Sequence, residues 1–216
     1  MKSLFWKEWR ENRTNLLIGI MIVIGFLLLS FFVSGDMVDI AKVLALVAIF
    51  AFAGVFGAWS FTKEKNTLEF FLSTPVKRET IFLNKWLSGI LNILILLSVV
   101  LVMEAVIFYS TGGFNFLFHL RQTADNRILA WSLPAYFLYY NIAFLLSLLL
   151  FEIISAVLGG LIIYVVVAIP FVSFFSSHGP RLYHALAWIW TILQLIISLS
   201  IFLIAYRIFS RKEVKV

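Results

Sequence analysis

The stretch FTKEKNTLEFFLSTPVKRETIFLNKW, residues 61–86, holds eight charged side chains and is flanked on both sides by long, almost uncharged runs. The chain around it is 62% hydrophobic and only 13% charged over 216 residues. A soluble domain of that length cannot hide so much apolar surface, because its surface-to-volume ratio demands more polar residues. The bilayer is the solvent that fits, which makes the charged island the feature to explain. No second composition regime appears, so residues 1–216 read as a single transmembrane domain with short tails.

Working outward from the island, runs of about 20 apolar residues mark helices able to cross the hydrocarbon layer. The expected spans are residues 16–33, 43–61, 87–109, 130–150, 153–175 and 185–206, with the island at 62–86 joining the second to the third. The fourth and fifth come from one run, 130–175, whose single charge is Glu152. At about 1.5 Å per residue such a run would be about 69 Å of helix, two hydrocarbon thicknesses, so it must fold back, and Glu152 marks the turn. The fold class expected is all-α: six transmembrane helices, an N-terminal interfacial helix and a cytoplasmic helical element between spans two and three.

An even number of spans puts both termini on one side. The tails and the island carry thirteen Lys and Arg, whereas the opposite side has four: Lys42, Arg121, Arg127 and Arg181. Positive residues favour the cytoplasmic side, so island and termini are expected there, in a multi-pass protein of the cytoplasmic membrane. Trp59 and Trp86 fall at inner span ends and Trp131, Trp188 and Trp190 near outer ones, levels that amphipathic rings favour. The first span has a basic flank, but without a small-x-small cleavage site it reads as an anchor and not as a cleaved signal peptide. The net charge of +6 sits beside apolar runs, which points to topology and not to nucleic acid. The chain has no cysteine, which excludes disulfides and thiolate metal sites.

Residues 1–15 read as a short helix on the membrane surface. Phe5 and Trp9 share one side, and Lys7, Glu8, Arg10 and Glu11 take the rest. Small residues line two spans: Ala51, Gly54 and Ala58 in the second, with Ala53 and Gly57 beside them, and Ser155, Ala156, Gly159 and Gly160 in the fifth. Such stripes let helices approach closely, either within one chain or between two protomers. Glu104 lies toward the outer end of the third span, where it either snorkels to water or lines a polar path. Glu152 either caps its turn or adds a small cytoplasmic contact. Pro170 is expected to kink the fifth span or open a re-entrant dip. Residues 110–129 form the longest outer loop. His119, His178 and His184 are scattered in outer segments and read as solvent-facing.

Within the island, Asn66 and Glu69 have the spacing of a helix cap and its partner, and Leu68, Phe71 and Leu72 then give a one-sided apolar patch. Pro75 ends that helix, and Thr74-Pro75 opens a second one running through Ile81 and Lys85 into the third span. A plain hairpin loop needs only a few residues, whereas a protruding helix with apolar and charged sides suits a groove on a partner.

Residues 64–85, EKNTLEFFLSTPVKRETIFLNK, resemble the cytoplasmic loop of type-2 ATP-binding-cassette (ABC) exporter permeases. Glu64, Thr67, Leu68, Glu69, Leu72, Pro75, Val76, Arg78, Ile81 and Lys85 carry the match, with Asn66 in place of a frequent glycine. Lys7-Glu8-Trp9-Arg10 and the six-span layout are also similar. The resemblance implies that Glu64, Thr67, Leu68, Glu69, Phe71, Leu72, Pro75, Lys77 and Arg78, with Glu152 nearby, dock on a cytoplasmic ABC-type ATPase subunit. It implies a second permease copy or paralogue, and no cofactor or catalytic residue in this chain, with ATP and magnesium bound by the partner. The phosphate-cradling G-x-x-x-x-G-K-[ST] motif is absent from the sequence, as are H-E-x-x-H and G-x-S-x-G, which fits a transport subunit and not an enzyme. The alternative class is a motor-independent polytopic protein: a channel, a secondary carrier, or an accessory or sensor subunit.

Overall fold

The computed structural model of the chain describes residues 2–32, 36–62, 77–110, 124–176 and 180–211. Every element there is helical: α1 (Lys2–Phe32), α2 (Asp36–Thr62), α3 (Arg78–Ser110), α4 (Ala124–Leu150), α5 (Ile153–Ser176) and α6 (Pro180–Arg211). Among the described residues, five helical stretches are long and apolar enough to cross a membrane: Trp6–Leu29, Ile40–Thr62, Arg78–Ile107, Ser132–Leu150 and Trp188–Arg211. The fifth helix contributes a shorter apolar stretch, Ile153–Ala168. Outward-facing positions are apolar on every helix, among them Met21 on α1, Val47 on α2, Val102 on α3, Leu149 on α4, Ile154 and Ile162 on α5, and Leu199 on α6. So extensive an apolar exterior is incompatible with water on all sides and suits lipid.

The helix at the centre is α4, which packs against α2, α5 and α6. Lipid is as apolar as leucine, so close packing and polar contacts, not exclusion of water, must hold such helices together. Three tyrosines of α4 supply both. Tyr136 donates to the Leu46 carbonyl of α2 at 3.2 Å, Tyr139 to Val157 of α5 at 3.0 Å, and Tyr140 to Trp86 of α3 at 3.0 Å. The next residue, Asn141, accepts from the Trp86 indole at 2.8 Å and donates to Ser198 Oγ of α6 at 2.7 Å. One six-residue segment of α4 thus reaches four neighbouring helices. The sequence signal was three phenols and an amide inside an apolar run, since hydroxyls and amides in hydrocarbon need partners.

Glycines let α2 come this close. A Cβ on Gly54 would collide with the Tyr139 ring, and one on Gly57 would lie 2.5 Å from the Tyr140 carbonyl oxygen and 2.9 Å from the Phe144 nitrogen. Phe50 stacks on Tyr139 with ring centroids 4.5 Å apart, sealing the same contact.

Several sequence expectations change. Residues 2–15 are not a separate surface helix; they are the first turns of α1, which continues unbroken to Phe32. The reason is that Glu8 faces inward to a buried partner, so this segment packs against the bundle. The segment expected as a loop over residues 110–129 shortens, because α3 runs to Ser110 and α4 begins at Ala124. Helix α5 continues past position 170 to Ser176. The fourth and fifth helices are joined at Phe151 and Glu152.

Candidate functional site

The helix ends that flank residues 63–76 lie together with the first turns of α1 and the last turn of α6. Phe61 of α2 and Phe82 of α3 pack against Phe209 of α6, with ring centroids 5.4 and 5.6 Å apart, and both also meet Phe144 of α4. Phe82 is wholly buried among Phe144, Phe202, Tyr206 and Phe209. This aromatic cluster fixes where the chain leaves α2 and where it enters α3.

Helix α3 begins just after Lys77, whose carbonyl accepts from the Thr80 and Ile81 amides at 2.9 and 3.3 Å. Glu79 in its first turn suits the positive end of the helix dipole. Two turns further on is Lys85, only 3% exposed. Its ammonium donates to Glu8 Oε1 at 2.9 Å and to the Ser60 carbonyl at 3.0 Å, and it lies 5.5 Å from the centre of the Phe61 ring. One side chain therefore ties α1, α2 and α3 together. Burying both charges is costly, and only close geometry with extra hydrogen bonds offsets that. Lys85 is thus a structural cation and not one of the surface charges of the island. The surface pair Lys7–Glu11, at 3.8 Å and partly exposed, is of the ordinary solvated kind.

The site residues named from the sequence divide as follows. Glu64, Thr67, Leu68, Glu69, Phe71, Leu72 and Pro75 lie outside the described residues. Lys77 is exposed and Arg78 half-buried at the start of α3. Of the N-terminal group, Trp9 is half-buried against the core and Arg10 is exposed, while the Phe5 side chain lies outside the described residues. Glu152 is exposed; its carbonyl accepts from the Ala156 amide at 3.0 Å and its carboxylate from Ser155 Oγ at 2.8 Å, so it caps α5. Gly54 and Ala58 are buried within the chain, whereas Ala51 is exposed. Gly159 is half-buried beside Leu146, and Glu104 is half-buried toward the far end of α3. The Trp86 N–H is taken by Asn141 and its ring packs on Phe202 at 4.5 Å.

Glu8, Lys85 and Ser60 form a tightly bonded polar group at this end, whereas the charge pattern alone predicts Glu8 and Lys85 at the membrane surface. Among the described residues no group of His, Asp and Glu has the arrangement of a metal site. The residues at this end supply anchoring, a cation held between three helices and an adjacent chain segment, with no nucleophile–base pair among the contacts described here. The class these helices define is an all-α protein with several helices able to cross a membrane. No protein-family model matches the chain, and no curated protein or solved structure matches it either.

Proposed function

We propose that the chain is the membrane-spanning permease subunit of an ABC export transporter, driven by ATP hydrolysis in a separate nucleotide-binding subunit. The observation that carries this reading is the sequence of residues 64–85, in which Asn66 and Glu69 have the spacing of a helix cap and its partner, Leu68, Phe71 and Leu72 have the spacing of one helix face, and Pro75 follows as a helix breaker. The flanking architecture supports it. The island's two mounts are bonded to each other through Lys85 and Ser60, and through Glu8 to α1, so a push on the island would be passed to three helices at once. Two such permeases would rock between inward and outward access as the ATPase closes. The excess of Lys and Arg in the tails and island supports a cytoplasmic position for this end.

The test is to identify the ATPase that co-purifies with the unaltered chain and to repeat the purification with the Phe71→Asp/Leu72→Asp variant. Complex formation should be lost while the permease remains folded; an undiminished complex would remove this patch as the docking surface. Orientation is checked by a cysteine at Lys77, which a membrane-impermeant reagent should reach only from the cytoplasmic side. A motor-independent carrier or channel is the second reading. It is favoured by the buried amides of α1 and α3, because polar groups within a membrane mark conduction paths. Absence of any co-purifying ATPase, together with substrate flux in vesicles lacking ATP, would select it.

A further inference from the structure

The polar contacts between α1 and α3 form a register. Glu8 meets Lys85 and Asn12 Nδ2 meets Ser88 Oγ, pairs separated by 77 and 76 residues. Further along, a Cβ on Gly19 would touch Leu96, again 77 positions on. The two helices therefore run parallel with a constant offset, and that offset sets Asn15 level with Asn92. On α1 the row is Glu8, Asn12, Asn15, Gly19; on α3 it is Lys85, Ser88, Asn92, Leu96. Both follow the spacing of one helix face.

The charged end of this seam is fully bonded, but the amide stretch is not. Asn92 is wholly buried, yet neither its Oδ1 nor its Nδ2 has a hydrogen-bond partner. Asn12 Oδ1 and Asn15 Nδ2 are also buried without partners. The one direct bond there, Asn12 to Ser88, is 3.5 Å long, stretched for an N–H···O contact. Unpaired amides in a closed interior are costly, and native proteins satisfy nearly all of them with protein or ordered water.

We propose that the seam between α1 and α3 is a buried water site, where Asn12, Asn15 and Asn92 share ordered water that the Glu8–Lys85 pair closes off from the chain-end surface. The chemistry selects water. The four unpaired atoms are two acceptors, Asn12 Oδ1 and Asn92 Oδ1, and two donors, Asn15 Nδ2 and Asn92 Nδ2. A neutral molecule that both donates and accepts satisfies all four, and a buried water typically makes about three such bonds. A bare cation would satisfy only the acceptors, would face the two amide donors, and would lie within about 10 Å of the Lys85 ammonium. From Lys85 to Asn92 the site reaches about 10 Å along the helix axis. A water-bridged contact can re-form after a small displacement, which the close backbone contact between α2 and α4 cannot do. The inference does not depend on the transport reading.

The test uses the sign of a stability change in the full chain, purified in nanodiscs. Asn92→Leu keeps the branching at Cγ but removes both amide atoms. In a hydrated seam it expels water and strands Asn12 and Asn15, so the midpoint of thermal unfolding should fall by about 5 °C. The triple variant Asn12→Leu/Asn15→Leu/Asn92→Leu leaves no stranded amide and should recover at least half of that loss. In a dry seam Asn92→Leu removes two unsatisfied atoms and the midpoint should rise, which overturns the proposal. So would a triple variant less stable than the single one, since crowding alone would then explain the loss. Radiolytic hydroxyl labelling of the unaltered protein gives a second reading that needs no variant. Leu96, beside the seam, should oxidise several-fold faster than the equally enclosed Leu27 and Leu148; equal rates would overturn the assignment.

Discussion

Between α2 and α4 the backbones meet through Gly54 and Gly57, and aromatic rings fill what space remains. Between α1 and α3 the contact is made by a charge pair, the Asn12–Ser88 bond and four unpaired amide atoms of Asn12, Asn15 and Asn92. Both interfaces are buried, but they obtain cohesion from different sources. The first relies on dispersion at close range, which any added atom disrupts and no solvent can repair. The second relies on polar groups that lipid cannot solvate, whose partners are directional and replaceable. In this molecule the close contact joins the central helix to its neighbour, while the polar contact joins the segments that carry the N-terminus and the island. Close packing at the centre, a bonded charge pair at the island end and unpaired amides beyond it follow from that placement.

The largest effect should come from breaking the charge pair by half. Lys85→Met leaves the Glu8 carboxylate buried without its cation, and Glu8→Gln leaves the Lys85 ammonium with the Ser60 carbonyl. Each should cost about 3–5 kcal/mol of stability, read by thermal or chemical unfolding in mild detergent. The double variant should cost less than the sum of the two, because no uncompensated charge remains. Added salt should leave the difference between wild type and single variants unchanged, since the two side chains are only 2% and 7% exposed. Removing the exposed Lys7–Glu11 pair should change stability by less than about 1 kcal/mol.

The close contact is tested next. Gly57→Ala sets a methyl group against backbone atoms of α4 that cannot turn aside, and should cost about 2–3 kcal/mol. Gly25→Ala is the comparison, because nothing lies within 4 Å of its would-be Cβ. There the usual helical preference for alanine should apply, giving a gain of up to about 1 kcal/mol. If the two substitutions behaved alike, the α2–α4 contact would be looser than described.

How much of this could be read from the residues differs between the same two regions. The apolar runs and the lone Glu152 between residues 130 and 175 located the helices and the fourth-to-fifth turn, because hydrocarbon thickness sets span length directly. The glycine stripe of α2 was visible too, but its partner was not: spacing identifies a face, and only the fold shows that Gly54 and Gly57 lie under α4. The N-terminal helix misled for a related reason. Lys7, Arg10 and Glu11 suggested a surface element, and the inward turn of Glu8 depends on Lys85, far away in sequence. The period of Glu8, Asn12, Asn15 and Gly19 was nevertheless a clue that polar residues shared one face over three turns. Tyr136, Tyr139, Tyr140 and Asn141 were similarly legible as polar groups needing partners, though not as links to particular helices.

A comparably small effect concerns the joint between α4 and α5, which sits at the island end of the close-packed centre. Phe151 has φ of 53°, in the left-handed region, and its amide donates to the Ser147 carbonyl at 3.1 Å as the helix closes. That position normally favours glycine, because a Cβ there crowds the following carbonyl at a cost of about 1–2 kcal/mol. The Phe151 ring packs against the core, and this contact offsets part of the strain. Two substitutions separate the contributions. Phe151→Ala keeps the Cβ and loses the ring; Phe151→Gly loses both. Glycine should therefore be more stable than alanine by about 1 kcal/mol, the reverse of their order inside a helix. If alanine were equal or better in unfolding measurements, the left-handed turn would not persist in the membrane, and the hairpin would be held by the Tyr139 and Gly160 contacts between α4 and α5 instead.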